Sequence, residues 1–172
     1  MHIGIRFVSL LSLSLLLSCG GKEEKKEGFV IKSKKTEEVS AKTSETPSNV
    51  VPASKRVDLT NKGVGAVKEL KLPETIDETM AATGAELFKT NCTACHRTHK
   101  KFIGPPPLDI LKRRTPEWVM NMILDPELMV KEDPLAKELL VEHNGSPMAN
   151  QSLNEDEARA ILEYFRTIKA EN

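Results

Sequence analysis

The stretch that decides the reading is "NCTACHRTHKKFIGPPP", Asn91 to Pro107: two cysteines three apart, a histidine directly after them, and three prolines soon afterwards. Such a pair can be a redox dithiol, half of a zinc site or the anchor for a covalently attached haem. The chain has three cysteines, Cys19, Cys92 and Cys95. A structural zinc site wants four nitrogen or sulfur ligands, normally from a second Cys or His pair, and no such pair exists. His99 and His143 would complete a set only at an unusual spacing. A thioredoxin-type dithiol opens a helix after a strand, and no strand-like run precedes Cys92. Cys-x-x-Cys-His is the direct signature of haem attachment: two thiols add across the two vinyl groups on one edge of the macrocycle, and the next residue, His96, is held under the iron.

The compartment agrees with that reading. The chain opens "MHIGIRFVSLLSLSLLLSCGG", with Arg6 followed by an apolar run from Phe7 to Leu17. The run is too short to span a bilayer and has the layout of a secretory signal. Its end, "LLLSC", resembles the lipobox of bacterial lipoproteins, which makes Cys19 the expected acylated N-terminus. An ordinary signal peptide, or an uncleaved anchor with an incidental cysteine, stands beside it. From Gly20 to about Thr60 the chain is rich in Lys, Glu, Ser and Thr, and its apolar residues follow no period. Too little surface can be buried there to offset ordering entropy, so the segment reads as a disordered tether. Forty such residues reach about 35 Å end to end. With 25 basic and 25 acidic residues in the chain, the charges read as solvating rather than as a nucleic-acid surface. The expected divisions are a lipoprotein signal peptide at 1–18, a tether at 19–75 and a folded domain at 76–172.

Two amphipathic helices frame that domain. "PETIDETMAATGAELFKTNCTACH" offers Thr75 or Asp77 as N-cap, with Glu78 placed to close a capping box on Thr75. Met80, Gly84, Leu87 and Phe88 form its apolar stripe. Gly84 inside a strong helix costs about 1 kcal/mol relative to Ala, which asks for a close helix approach. "SLNEDEARAILEYFRTIKA" offers Ser152 or Asn154 as cap, acids in its first turn, and a face of Ala158, Ile161, Leu162, Phe165 and Ile168. Thr115 and Pro116 open a further helix containing Trp118, Met120 and Met122. Another begins near Pro134, with His143 at its solvated end.

From Asp77 to Lys169 the sequence resembles the class I monohaem c-type cytochromes. The resemblance rests on the haem motif, on Gly84 and Phe88 four residues apart before it, and on "IGPPPL" after it. It implies an all-α, cytochrome c-like fold in which N- and C-terminal helices cross around one covalent haem c, with Ile161 and Tyr164 as the partners of Gly84 and Phe88. It implies that a proline carbonyl, from Pro105 or else Pro106, accepts the Nδ1 hydrogen of His96 and leaves Nε2 for iron. It places the axial methionine in a loop before the last helix, where Met148 sits in "HNGSPMANQSL". Met129, a histidine such as His143, or an open site are the alternatives. Trp118 is expected either near the haem edge, its indole N–H on a propionate, or in core packing. A His96/Met148 iron has no free site for substrate, so the implied function is outer-sphere transfer of single electrons between respiratory or denitrifying redox proteins. The carrier would face the periplasm from a lipid on Cys19 and would bind no nucleic acid. A ligand-sensing haem domain and a structural haem subunit are the competing classes. The basic stretch Arg97, Lys100, Lys101, Lys112, Arg113 and Arg114 is expected to form a positive rim beside the exposed haem edge.

Overall fold

The computed structural model describes residues 51–170. The expected signal peptide, Cys19 and the tether up to residue 50 lie outside them. The described residues form helices α1 (Glu78–Asn91), α2 (Pro116–Leu124), α3 (Pro126–Glu132), α4 (Pro134–Glu142) and α5 (Glu155–Thr167), with a short 3-10 turn at Ile110–Lys112. Apart from one isolated bridge between Asp58 and Arg114, no β pairing occurs among them.

Every helix start is written locally. Asp77, Thr115, Asp125, Asp133 and Asn154 each accept a backbone N–H from the first turn of the helix they precede. Proline opens α2, α3 and α4, where its missing N–H would have had no partner. Two expected caps resolve: Asp77 takes the role rather than Thr75, and Asn154 closes a reciprocal box with Glu157 rather than Ser152.

Helices α1 and α5 cross in intimate contact. A Cβ on Gly84 would lie 1.9 Å from the carbonyl oxygen of Ala160 and 2.9 Å from the nitrogen of Ile161, so glycine is what lets the two backbones touch. One turn on, the Phe88 ring meets Tyr164 at 5.6 Å and Phe165 edge-on at 5.7 Å between centroids. Contacts of this kind add to plain area burial. The same crossing holds Glu163, 1% exposed, with Arg159 and Arg166 at 2.5 and 2.6 Å and the Asp77 N–H at 2.9 Å. Burial pushes the Glu163 carboxyl up, but the N–H and the arginines outweigh it and hold the group below its ordinary range.

The expected domain boundary at 75 falls too late. Ala53 and Val67 are buried, and residues 51–75 are fastened through their backbone to side chains of the body. The Arg114 guanidinium donates to the carbonyls of Ala53 and Arg56, both at 2.5 Å. Asn121 accepts from the Val67 N–H at 3.0 Å and donates to the Lys62 and Val67 carbonyls. Glu117 accepts from the Leu70 N–H, and the Met129 sulfur accepts from the Val64 N–H at 3.1 Å. The segment lacks apolar periodicity because buried polar side chains on α2 and just before it satisfy its main chain instead.

Candidate functional site

Helix α1 ends by delivering the motif. Cys92 is its C-cap, the N–H groups of Cys95 and His96 both return to the Cys92 carbonyl at 3.0 and 2.8 Å, and Gly104 N–H bonds the Cys95 carbonyl at 2.9 Å. Cys92, Cys95 and His96 therefore sit on one tight turn, with the following loop folded back across it. His96 Nδ1 lies 2.8 Å from the Pro105 carbonyl. A carbonyl only accepts, so Nδ1 carries the hydrogen and Nε2 is left with its lone pair. A Cβ on Gly104 would lie 2.4 Å from the Cε1 of His96, so only glycine gives the ring this berth.

The thiols are poorly placed for redox-dithiol work. Such a cysteine is activated at a helix N-terminus beside positive charge. Cys92 stands at a C-terminus, and burial, reinforced by Cys95, pushes its thiol up to about 11.

Cys92, Cys95, His96 and Met148 all line one cavity, together with apolar side chains from all five helices, α3 contributing Val130. The wall includes Val119, Ile123, Leu139, Leu140, Ile161 and Phe165. These residues suit a flat macrocycle with hydrocarbon faces. Two buried polar atoms on the lining residues have no protein partner, Nε of Arg114 and Nε2 of His143. The donor set and the berth for His96 fit haem.

Of the methionines, Met148 and Met122 line the cavity and Met129 does not. Met129 is fully buried elsewhere, its sulfur occupied by Val64. Met122 follows Trp118 by four residues and so shares its face of α2, a periodicity that was readable in the sequence. Trp118 does border the cavity, but its indole N–H donates to Asp133 Oδ1 at 3.1 Å. The expected bond from that N–H to a propionate is therefore replaced by a buried carboxylate that also caps α4. His143 is likewise not the solvated helix end expected: it is 5% exposed, and Nδ1 lies 3.1 Å from the Ile103 carbonyl. Burial first, then Lys101, pushes its ring below the usual histidine range.

The expected basic rim shrinks. Arg114 is 2% exposed and Arg113 spends its guanidinium on the Leu108 carbonyl. Lys112 pairs with Asp109 at 3.1 Å. Lys100 and Lys101 remain exposed, with Arg97 stacked 4.3 Å over the exposed Phe102 ring.

Residues 81–169 match the family model described as cytochrome c. Among solved structures, the chain is 42% identical to a cytochrome c from Rhodothermus marinus, covering 68% of this chain and 93% of that one at a TM-score of 0.59. An engineered form of that cytochrome matches at 41% identity over 68% and 94% with a TM-score of 0.59, and the same engineered form bound to a carbene intermediate at 0.57. Among curated proteins nothing matches. The motif geometry, the crossing of α1 with α5 and these likenesses agree: the chain belongs to the cytochrome c family, an all-α monohaem domain that carries haem c covalently on Cys92 and Cys95.

Proposed function

We propose that the protein is a membrane-anchored carrier of single electrons, with His96 and Met148 as the two axial ligands of its haem iron. The observation that carries this is the pairing in one cavity of an imidazole whose Nδ1 is committed to the Pro105 carbonyl and a methionine from the loop before α5. Haem held in this way supplies a reversible one-electron couple, whose potential methionine ligation raises. The chain's own residues do the rest. Pro105 fixes the tautomer and orientation of His96, and the apolar wall keeps water from the iron. The exposed Cys95, Phe102 and Ile103 leave one edge of the site near the surface.

The decisive experiment compares two methionines. Met148→Ala should abolish the methionine-to-iron absorption band and lower the reduction potential, while Met122→Ala keeps the band. Loss of the band in Met122→Ala alone would move the ligand to α2. The competing reading, a sixth site that opens to ligands, draws on the engineered Rhodothermus form that holds a carbene intermediate. Rapid carbon monoxide binding by the reduced wild type would favour it.

Anchoring rests on "LLLSCGG". No helix among the described residues is long and apolar enough to cross a membrane. Two or more acyl chains on Cys19 give stable attachment where one is marginal. Cys19→Ser should shift the protein from the detergent phase to the aqueous phase with its haem spectrum unchanged; equal partitioning of wild type and mutant would remove Cys19 as the anchor. The carrier would then face the periplasm and exchange electrons with respiratory or denitrifying proteins that offer an acidic surface to Lys100 and Lys101.

A further inference from the structure

Trp118 borders the haem cavity and also meets the N-terminal segment. A Cβ on Gly63 would lie 3.3 Å from its Cδ1, so that segment passes directly over the indole. Arg114, tied to the Ala53 and Arg56 carbonyls, places its Cζ 5.3 Å from the centre of the ring. Both N–H groups of the tryptophan lead, one residue on, to the same point of the segment. The backbone N–H donates to Thr115 Oγ1 at 3.1 Å, and that hydroxyl donates to the Asn61 carbonyl at 2.6 Å. The indole N–H donates to Asp133 Oδ1 at 3.1 Å, and Asp133 Oδ2 accepts from Asn61 Nδ2 at 2.7 Å.

We propose that Asn61 is a positioning residue of the haem site, holding the Asp133 carboxylate and through it the plane of the Trp118 ring that walls the cavity. The donor count supports this. Asp133 is 4% exposed and takes three N–H groups, from Trp118, Ala136 and Asn61. A carboxylate taken out of water needs such donors on its lone pairs. Trp118 and Ala136 share Oδ1, so Asn61 is the donor on Oδ2 and fixes how the carboxylate is turned. Without it that oxygen turns toward water, and the indole N–H loses its acceptor. The wall then loosens toward the half-buried Asn61 and admits solvent. Water stabilises the extra charge of ferric iron, so solvent access lowers the potential. The inference needs haem in the cavity and does not depend on which methionine is axial.

The test uses the full-length haem protein. Trp118 is the only tryptophan of the chain, so the ultraviolet resonance Raman band that reports indole hydrogen bonding has one source. Asn61→Ala should move that band to its weakly bonded position and lower the reduction potential measured spectroelectrochemically, with the charge of the protein unchanged. Asn61→Asp keeps the oxygen that accepts the Gly63 N–H at 2.7 Å but loses the amide. It should move the band in the same way, whereas a residue that only shaped its own loop would leave the band in place. Asn61→Asp combined with Asp133→Asn exchanges donor and acceptor, keeps the net charge of wild type, and should restore both band and potential. Three results would each overturn the proposal: an Asn61→Asp band at the wild-type position, a moved band with an unmoved potential in Asn61→Ala, or a swap no closer to wild type than its single variants. If Asn61→Ala and Asn61→Asp both fail to take up haem, the swap decides. Haem uptake by the swap supports the pairing, and failure there overturns it.

Discussion

Changing Cys92 and Cys95 together to alanine is expected to yield a protein with no haem stain on a denaturing gel and no cooperative unfolding transition. Both thioethers are lost, and His96 alone cannot retain the group through denaturation. The fold suffers because the haem is part of its core. The apolar wall of the 220 Å³ cavity, to which all five helices contribute, would lose the group that fills it and meet water instead. Were the space closed and dry, about 24 cal/mol per Å³ would set the cost at no more than roughly 5 kcal/mol, which is comparable to the whole stability of a marginal domain. Circular dichroism on heating should show a broad, weak transition in place of a sharp one. Covalent haem surviving in the double variant would remove the attachment site from these residues. A sharp transition in a haem-free double variant would show that the apolar wall collapses on itself and that the fold does not need the haem.

What the sequence made legible were features written within a few residues of one another. The turn Cys92 to His96, the caps at Thr115 and Asn154, and the glycine and aromatic of α1 all depend on local spacing. The Pro105 carbonyl, nine residues from His96, is implied by the family resemblance, with Pro106 as the alternative, and not by spacing alone. The features that escaped join distant parts of the chain through polar contacts. Glu163 lies outside the apolar face of Ala158, Ile161, Leu162, Phe165 and Ile168, yet it is buried, accepting the Asp77 N–H from 86 residues away. Arg114 reads as one more basic surface residue, yet it is the post to which residues 53–56 are tied. Trp118 had two expected uses for its ring and none for Asp133 as the acceptor of its N–H. Composition and periodicity report where apolar area is buried. They are silent about which carbonyl or carboxylate waits at the other end of a long loop.

The crossing of α1 and α5 yields the other large expected effect, and its sign separates two energies. Within a helix, Gly84→Ala taken alone should stabilise by about 1 kcal/mol, because alanine loses less backbone entropy. Against this stands a methyl carbon 1.9 Å from the Ala160 oxygen, well inside van der Waals contact. The obstacle is main chain on a neighbouring helix, so no rotamer change relieves it, and the helices must separate. Overpacking of a tight core costs typically 1–3 kcal/mol and occasionally more. Here α1 and α5 also carry the Phe88 stack and the Glu163 ion pairs, all of which lengthen together. The expected net effect of Gly84→Ala is a loss of roughly 3 kcal/mol, a drop in Tm on the order of 12 °C. Thr83→Ala, on the exposed side of the same helix, is the control and should change Tm by little. Truncating the facing residue gives no rescue, since the contact is with the Ala160 carbonyl rather than its side chain. Gly84→Ala combined with Ala160→Gly should therefore be no more stable than Gly84→Ala alone. A stabilised Gly84→Ala, or a double variant restored to wild-type Tm, would mean that the helices do not touch backbone to backbone at this point.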